Sequence, residues 1–411
     1  MALALAVGLL GGCGEAPVER GTAALGGFAE DPRIAPEDIL DEGEALLSRI
    51  DVEMEEAQWA ALRADPGSRE ERPCAVTLGG RRYEGVEIEL HGGFARTAPK
   101  KSFRIKFAGE RPFYDAFGEG PERLHRLVLQ ASWIDRTFMR NKLTMDLIRA
   151  QGGLSPRVSY AELVVNGRYE GLYTVIERID EDFVARQGWS PAGNLYKAEN
   201  HNANWGQKAD PLNGFKKMLG EGQPSGDLGE LLRVIHATPL EFERFEAEVG
   251  ALLSLEDFMV FSAAHIFAMN TDTFTKNYYL YHDPLAGGGA GGRFRLVSWD
   301  ADATFANNWD GAAIEAGEGR LIGHDRLSPR LFGIPEYEAM HLERLRGALE
   351  GGDFSPEAMR ERTAALREQF RSAAGRDAIR WRERDTFEGE VDRLDGVFEV
   401  RRRALLEAMD R

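Results

Sequence analysis

Three oxygen-bearing side chains stand at spacings that suit phosphate and metal chemistry. They are Asp272, Asn277 with four residues between, and Asp300 at the end of the next apolar run. Residues 278–281 (Tyr-Tyr-Leu-Tyr) and 294–299 (Phe-Arg-Leu-Val-Ser-Trp) are strand-like, and Asp283-Pro284 with the glycine run after it can reverse the chain between them. In an antiparallel hairpin the start of the first strand lies beside the end of the second. The spacing therefore predicts Asn277 next to Asp300, with Asp272 in the loop just before, so that two carboxylates and an amide oxygen converge. Hard oxygen donors of this kind suit Mg²⁺ or Mn²⁺ held jointly with substrate phosphates rather than a soft-metal site. The same residue types also serve as turn caps and strand ends, which needs no ligand. Asp302 follows closely and is kept as an auxiliary metal or structural carboxylate. A carboxylate pair alone would also serve glycoside hydrolysis, but that chemistry gives the basic segment below no role.

That segment runs from His91 to Arg111. It holds Arg96, Lys100, Lys101, Arg104, Lys106 and Arg111 against one acid, Glu110, in a chain that is acidic overall. A turn led by Gly92 and Gly93, followed by a strand carrying lysines, can lay backbone N–H groups and an ammonium over a polyphosphate. On composition alone it is equally a solvated strand face.

The elements that must position these groups are legible from periodicity. Val86, Ile88 and Leu90 alternate with Glu87 and Glu89, and Phe103, Ile105 and Phe107 repeat the pattern with Arg104 and Lys106 opposite, so two strands flank the glycine turn. A short helix is expected over residues 47–63 and another over 136–150. Residues 161–165 and 168–176 around Asn166-Gly167 form the strongest hairpin signal. Residues 228–270 and 336–411 are mostly helical, and the charged tail reads as a solvated face packed on the larger, helix-rich part. The fold expected is α+β, with a strand-rich part over residues 46–180 and a helix-rich part over 181–411.

Composition bounds the rest. A chain of 411 residues is long enough for two or three structural units, and its net charge of −17 argues against a broad basic surface that would hold nucleic acid. Phosphate chemistry then has to sit in a local site. Of two cysteines, Cys74 reads as a small apolar residue. Cys13 ends an apolar run too short to span a bilayer. Leu10-Gly11-Gly12-Cys13 resembles the bacterial lipobox, although a basic n-region is missing. The resemblance implies a signal peptide over residues 1–12, a lipidated tether over 13–45, membrane anchoring through Cys13, and export to the bacterial cell envelope.

Four stretches, read together, resemble the CotH kinase (spore-coat protein H) family of atypical protein kinases. They are residues 90–107 (Leu-His-Gly-Gly-Phe-Ala-Arg-Thr-Ala-Pro-Lys-Lys-Ser-Phe-Arg-Ile-Lys-Phe), 133–142 (Trp-Ile-Asp-Arg-Thr-Phe-Met-Arg-Asn-Lys), 165–180 around Asn166-Gly167, and Asn277-Tyr-Tyr-Leu-Tyr with Trp299-Asp-Ala-Asp302. The resemblance implies a two-lobed kinase-like fold that binds ATP with Mg²⁺ or Mn²⁺ and phosphorylates Ser or Thr of an exported protein. Asp272 and Asn277 also keep the separation of the protein-kinase catalytic loop. By resemblance Asp272 is the catalytic carboxylate, while Asn277 and Asp300, with Asp302 as auxiliary, are metal ligands. Lys106 or Lys101 reaches the ATP phosphates, with strand parity favouring Lys106, and Glu177 falls near the adenine. Lys197 is a further family-like position without a derived role. The glycine turn departs from the family, since Gly92-Gly93-Phe94-Ala95 offers no hydroxyl before Thr97. That departure motivates a second possibility, a non-catalytic kinase-shaped surface lipoprotein acting as a scaffold.

Overall fold

Alternation of apolar and polar residues builds the first half of the chain in the computed structural model, which describes residues 47–286, 292–382 and 384–411. The signal peptide, tether and Cys13 expected from the sequence lie outside the described residues. The helix expected over 47–63 is instead a strand, β1 (Ser48–Glu53), followed by α1 (Glu56–Ala64). Ile50 and Val52 are buried between partly exposed Arg49 and Asp51 and exposed Glu53, a period of two that suits a half-buried strand. Then come β2 (Arg72–Leu78), β3 (Arg81–Leu90), β4 (Phe103–Phe107), the short pair β5 (Phe113–Tyr114) and β6 (Glu122–Arg123), and β7 (Arg126–Gln130). Next are α2 (Arg140–Ala150), β8 (Val158–Val165) and β9 (Arg168–Ile176).

These strands do more than form separate hairpins. They close into a seven-stranded barrel in the order β1-β2-β3-β4-β7-β9-β8, completed by the parallel pairing of β1 with β8. The interior is filled by Ile88, Phe103, Ile105, Leu129 and Leu163 among others, and Trp59 of α1 packs on it with its ring 5.4 Å from that of Phe103. The Asn166-Gly167 turn has φ of 50° and 74°, the primed geometry that matches strand twist. Strands β8 and β9 are buried on both faces. Ala161, Leu163 and Val175 face the barrel, while Tyr160, Leu172 and Ile176 join the larger core of the second half.

That half contains α3 (Glu181–Arg186), β10 (Asn194–Ala198), β11 (Phe215–Leu219), α4 (Gly226–Ala237), α5 (Phe242–Glu248), α6 (Leu255–Phe267), β12 (Tyr278–His282) and β13 (Arg295–Ser298). The helices α7 (Ser328–Leu331), α8 (Pro335–Leu349), α9 (Pro356–Trp381) and α10 (Phe387–Met409) follow. Its sheet runs β11-β10-β12-β13. Every residue of α6 except Glu256 is buried, and Asp257 on that helix grips Arg295 of β13 at 2.6 and 3.0 Å, which fixes the hairpin on the core. Helix α9 does not stay on the helical part as expected. Its last turns pack on the barrel, where Arg376 pairs with Glu162 at 3.0 Å and the Trp381 indole donates to the Glu170 carbonyl at 2.6 Å. Gly171 permits this approach, since a Cβ there would lie 2.4 Å from the Asp377 carboxylate. No described helix is long and apolar enough to cross a membrane.

Candidate active site

The β12–β13 hairpin forms with Tyr278 opposite Ser298, so Asn277 and Asp300 emerge at one sheet end. Both have left-handed backbone, φ 58° and 59°, a conformation that Asn and Asp tolerate better than other side chains. The Asn277 amide N–H is held by the Ala198 carbonyl of β10 at 3.0 Å. Asp272 is fixed from three directions. Its backbone N–H donates to Asn270 Oδ1 at 3.1 Å, and its Oδ2 accepts from Asn277 Nδ2 at 3.1 Å and faces Lys276 Nζ at 3.0 Å. Asn270 in turn contacts His265 of α6 at 3.3 Å, and His265 contacts Ser298 of β13 at 3.0 Å. Thus the loop bearing Asp272 and the strand bearing Asp300 are braced by one buried imidazole.

Asp302 accepts from Gln130 Nε2 of β7 at 3.1 Å, and Gln130 Oε1 accepts from Asn141 of α2 at 2.9 Å. Arg140, next to Asn141, donates to the Thr304 carbonyl at 3.0 Å, so α2 and the barrel together support the segment after β13. Burial, and then the charge of Asp272, holds the Asp300 carboxyl above the usual range against the pull of Lys197 and Lys276. Asp302 is pushed well above its ordinary value by burial and then by Asp300, Asp135 and Asp272. Buried carboxyls raised further by neighbouring carboxylates, as Asp300 and Asp302 are, form a donor set that a divalent cation would relieve. Among the described residues no group of three His, Cys, Asp or Glu stands close enough to hold an ion alone. The donors present are hard oxygens, the chemistry that suits Mg²⁺ or Mn²⁺, and Asp300, Asp302 and the Asn277 side-chain oxygen are the groups that would hold such an ion.

These groups line a cleft of about 1310 Å³ that is also lined by Gly92 and Gly93 of the glycine turn. The lysines expected there do not reach it. Lys106 does point off the apolar face of β4, but onto the outer barrel wall, where it pairs with Glu71 at 2.9 Å and Glu87 at 2.8 Å. Lys101 is buried and donates to the Arg96 and Ala98 carbonyls at 2.8 and 2.7 Å, so it braces the turn. Glu177 is also buried, bound to Arg157 at 2.8 Å and to Arg186 at 2.6 Å, and it does not line the cleft. The basic segment is largely consumed by such internal partners: Lys100 pairs with Asp377, and Arg104, which does line the cleft, pairs with Glu89. Strand parity identifies the face of β4 but not which end of that face meets the cleft.

The cations that face the cleft come mainly from elsewhere, including Arg178, Lys197, Lys216 and Lys276. Lys197 on β10 is opposed to Tyr279 in the sheet and feels Asp300, whose charge together with that of Glu199 counters the lowering of its pKa by burial. His91 in the same cleft is pushed down to about 3, first by burial and then by the charges of Lys197 and Arg178. The pairing of Lys197 with β12 depends on a sheet contact across some 80 residues, and no local spacing announces it.

A family model described as CotH kinase protein matches residues 88–405. Inner spore coat protein H of Bacillus subtilis (strain 168) is 26% identical over 339 residues, covering 80% of this chain and 89% of that protein. A solved complex of the Shewanella oneidensis MR-1 toxin–antitoxin system HipA and HipB with its operator DNA covers 75% of this chain and 66% of that chain. It does so at 13% identity with a TM-score of 0.30, too low to bear on the fold.

Proposed function

The chain belongs to the CotH kinase family, and from that premise we propose that it is a metal-dependent atypical protein kinase transferring the γ-phosphate of ATP to Ser or Thr of an exported protein. The observation that carries this is the convergence of Asp272, Asn277 and Asp300 at one hairpin end, in a cleft that the glycine turn also lines. In this reading the barrel and the helix-rich part serve as the two lobes of a kinase-like fold. Asp272 orients the acceptor hydroxyl and accepts its proton as the oxygen bonds to the γ-phosphorus and the bridging P–O bond to ADP breaks. Lys197 offsets phosphate charge in the place first assigned to Lys106, and Lys276 and Asn277 hold the Asp272 carboxylate in aim. Asn277 and Asp300, with Asp302, would hold Mg²⁺ or Mn²⁺, which supplies charge neutralisation when bound. Export and anchoring through a lipidated Cys13 belong to the same proposal. A membrane fraction that loses the protein on Cys13→Ala would support them.

The test is transfer of labelled phosphate from ATP with Mg²⁺ or Mn²⁺, to the protein itself and to casein-type acceptors. Asp272→Ala is expected to reduce it by about 10²–10⁴-fold, the usual worth of a positioned base. Undiminished labelling in that variant refutes the assignment. One observation favours the scaffold reading: Thr97, the first hydroxyl after the glycines, is engaged with the Phe94 carbonyl at 2.8 Å. Metal–ATP at about 100 Kd stabilises a real site by about 2.7 kcal/mol, so no thermal shift at millimolar nucleotide would select the scaffold.

A further inference from the structure

Two large aromatic side chains stand exposed at the rim of the polar cleft. Phe94 follows the glycine turn and is 62% exposed, and Trp309 lies beyond Asp302 and is 56% exposed. They come from segments more than 200 residues apart in the chain, and their rings meet edge to face at 5.4 Å and 83°. Neither sits on a loose loop. The Phe94 turn is pinned by Lys101 on two carbonyls and by Arg96, which donates to the Leu90 carbonyl at 3.2 Å. Trp309 is in a tight turn closed by Asn308 N–H to the Ala312 carbonyl at 2.8 Å, and Asn307 ties that turn to the Ile134 and Asp302 carbonyls at 3.1 and 3.3 Å. Rigid, exposed aromatic rings, Trp above all, are the usual anchors of recognition surfaces.

We propose that Phe94 and Trp309 form the acceptor-binding rim, recognising a polypeptide that carries an aromatic or long aliphatic side chain beside the Ser or Thr to be modified. This rests on the kinase reading above. Continuity with the cleft argues for a peptide over a nucleotide base. In the kinase reading the phosphates lie with Asp300 and Lys197, and Phe94 and Trp309 line the same cleft as Asp272, which receives the acceptor hydroxyl. The rings leave more than half their surface open to solvent, which suits a chain laid across them and not a base enclosed in a slot. An apolar side chain covering both rings gains burial and an aromatic contact, about tenfold in affinity or about 1.4 kcal/mol.

The experiment measures binding and transfer separately on the full chain. Dye-labelled peptides with one Ser in a Gly-Ala background, differing only in a neighbouring Phe, Leu, Ala, Lys or Glu, are titrated by anisotropy with Mg²⁺-ATP present. The expected result is about tenfold tighter binding of the Phe and Leu peptides than of the Ala peptide, a preference lost in Phe94→Ala and Trp309→Ala and partly restored in Trp309→Phe. A flat panel, a preference for Lys, or a preference that survives both alanine variants overturns the proposal. So does a loss of Mg²⁺-ATP affinity in Trp309→Ala equal to its loss of peptide affinity, which would assign the rings to the nucleotide. Ring-independent phosphate transfer refutes the rim and leaves the kinase reading intact. Ring-dependent binding with no transfer to any peptide refutes the kinase reading, and with it the description of the peptide as an acceptor.

Discussion

Replacing Lys100 by Met should test whether the basic segment after the glycine turn is structural. The Lys100 side chain is 1% exposed and that of Asp377 4%, and the two form an ion pair between the segment leading into β4 and the last turns of α9. The ammonium also donates to the Leu172 carbonyl at 2.5 Å and lies 4.5 Å from the centre of the Tyr173 ring, while Asp377 Oδ2 accepts from the Leu172 N–H at 3.0 Å. In Lys100→Met the Asp377 carboxylate stays buried and keeps, among the described residues, the Leu172 N–H as its hydrogen-bond donor. Stranding one charge of such a pair costs about 3–5 kcal/mol, a large part of the roughly 5–15 kcal/mol that stabilises a typical protein. Lys100→Met with Asp377→Leu removes both charges and leaves the Leu172 N–H without this acceptor, about 1–3 kcal/mol, while the loss of the donor to the Leu172 carbonyl is common to both variants. The double variant should therefore be more stable than the Lys100 single variant, whereas additive losses would make it much less stable. Urea unfolding monitored by tryptophan fluorescence reads the order directly from the midpoints. A Lys100→Met cost below about 1 kcal/mol, or strictly additive losses, would refute the view that this lysine is committed to the fold.

Lys197→Met should weaken Mg²⁺-ATP binding by about tenfold or more, the worth of one charge-assisted contact, while Lys106→Met should shift it by less than about twofold. Isothermal titration of both variants decides, and the reverse order would return the phosphate lysine to β4. The pH dependence of stability should expose His341, which is stacked on Phe332 with ring centres 4.2 Å apart and held down to about 4, first by burial. Its folded pKa lies below the unfolded value near 6.5, so the unfolded chain gains the proton first and stability falls as pH drops from about 6.5 to 4. The loss over that window amounts to up to about 3 kcal/mol for this group, and His341→Phe should flatten the acid limb of the stability curve by that order. An unchanged acid limb would show that His341 is not neutral in the fold.

Where residues cooperate over a few positions, the sequence was already informative. The period-two runs at Val86 to Leu90 and Phe103 to Phe107, the Asn166-Gly167 turn and the Tyr278 to Trp299 hairpin all form as their patterns imply. The convergence of Asp272, Asn277 and Asp300 followed from hairpin geometry, because antiparallel pairing makes chain ends neighbours without any long-range information. The strand at Ile50 and Val52 is not legible in the sequence, because a short alternating stretch next to a helical one is ambiguous until β2 and β8 supply its hydrogen bonds.

The local elements, the carboxylate cluster and the family resemblance thus lay in the sequence itself. Tertiary structure decided which cations serve the cleft, because a charge has a role only relative to its partners. Glu71, Glu87 and Asp377 take Lys106 and Lys100 away, and pairing of β10 with β12 brings in Lys197. Closure of the barrel and the return of α9 onto it were decided there too. Both depend on contacts between residues as distant as Ser48 and Ala161, or Lys100 and Asp377, for which spacing along the chain carries no signal.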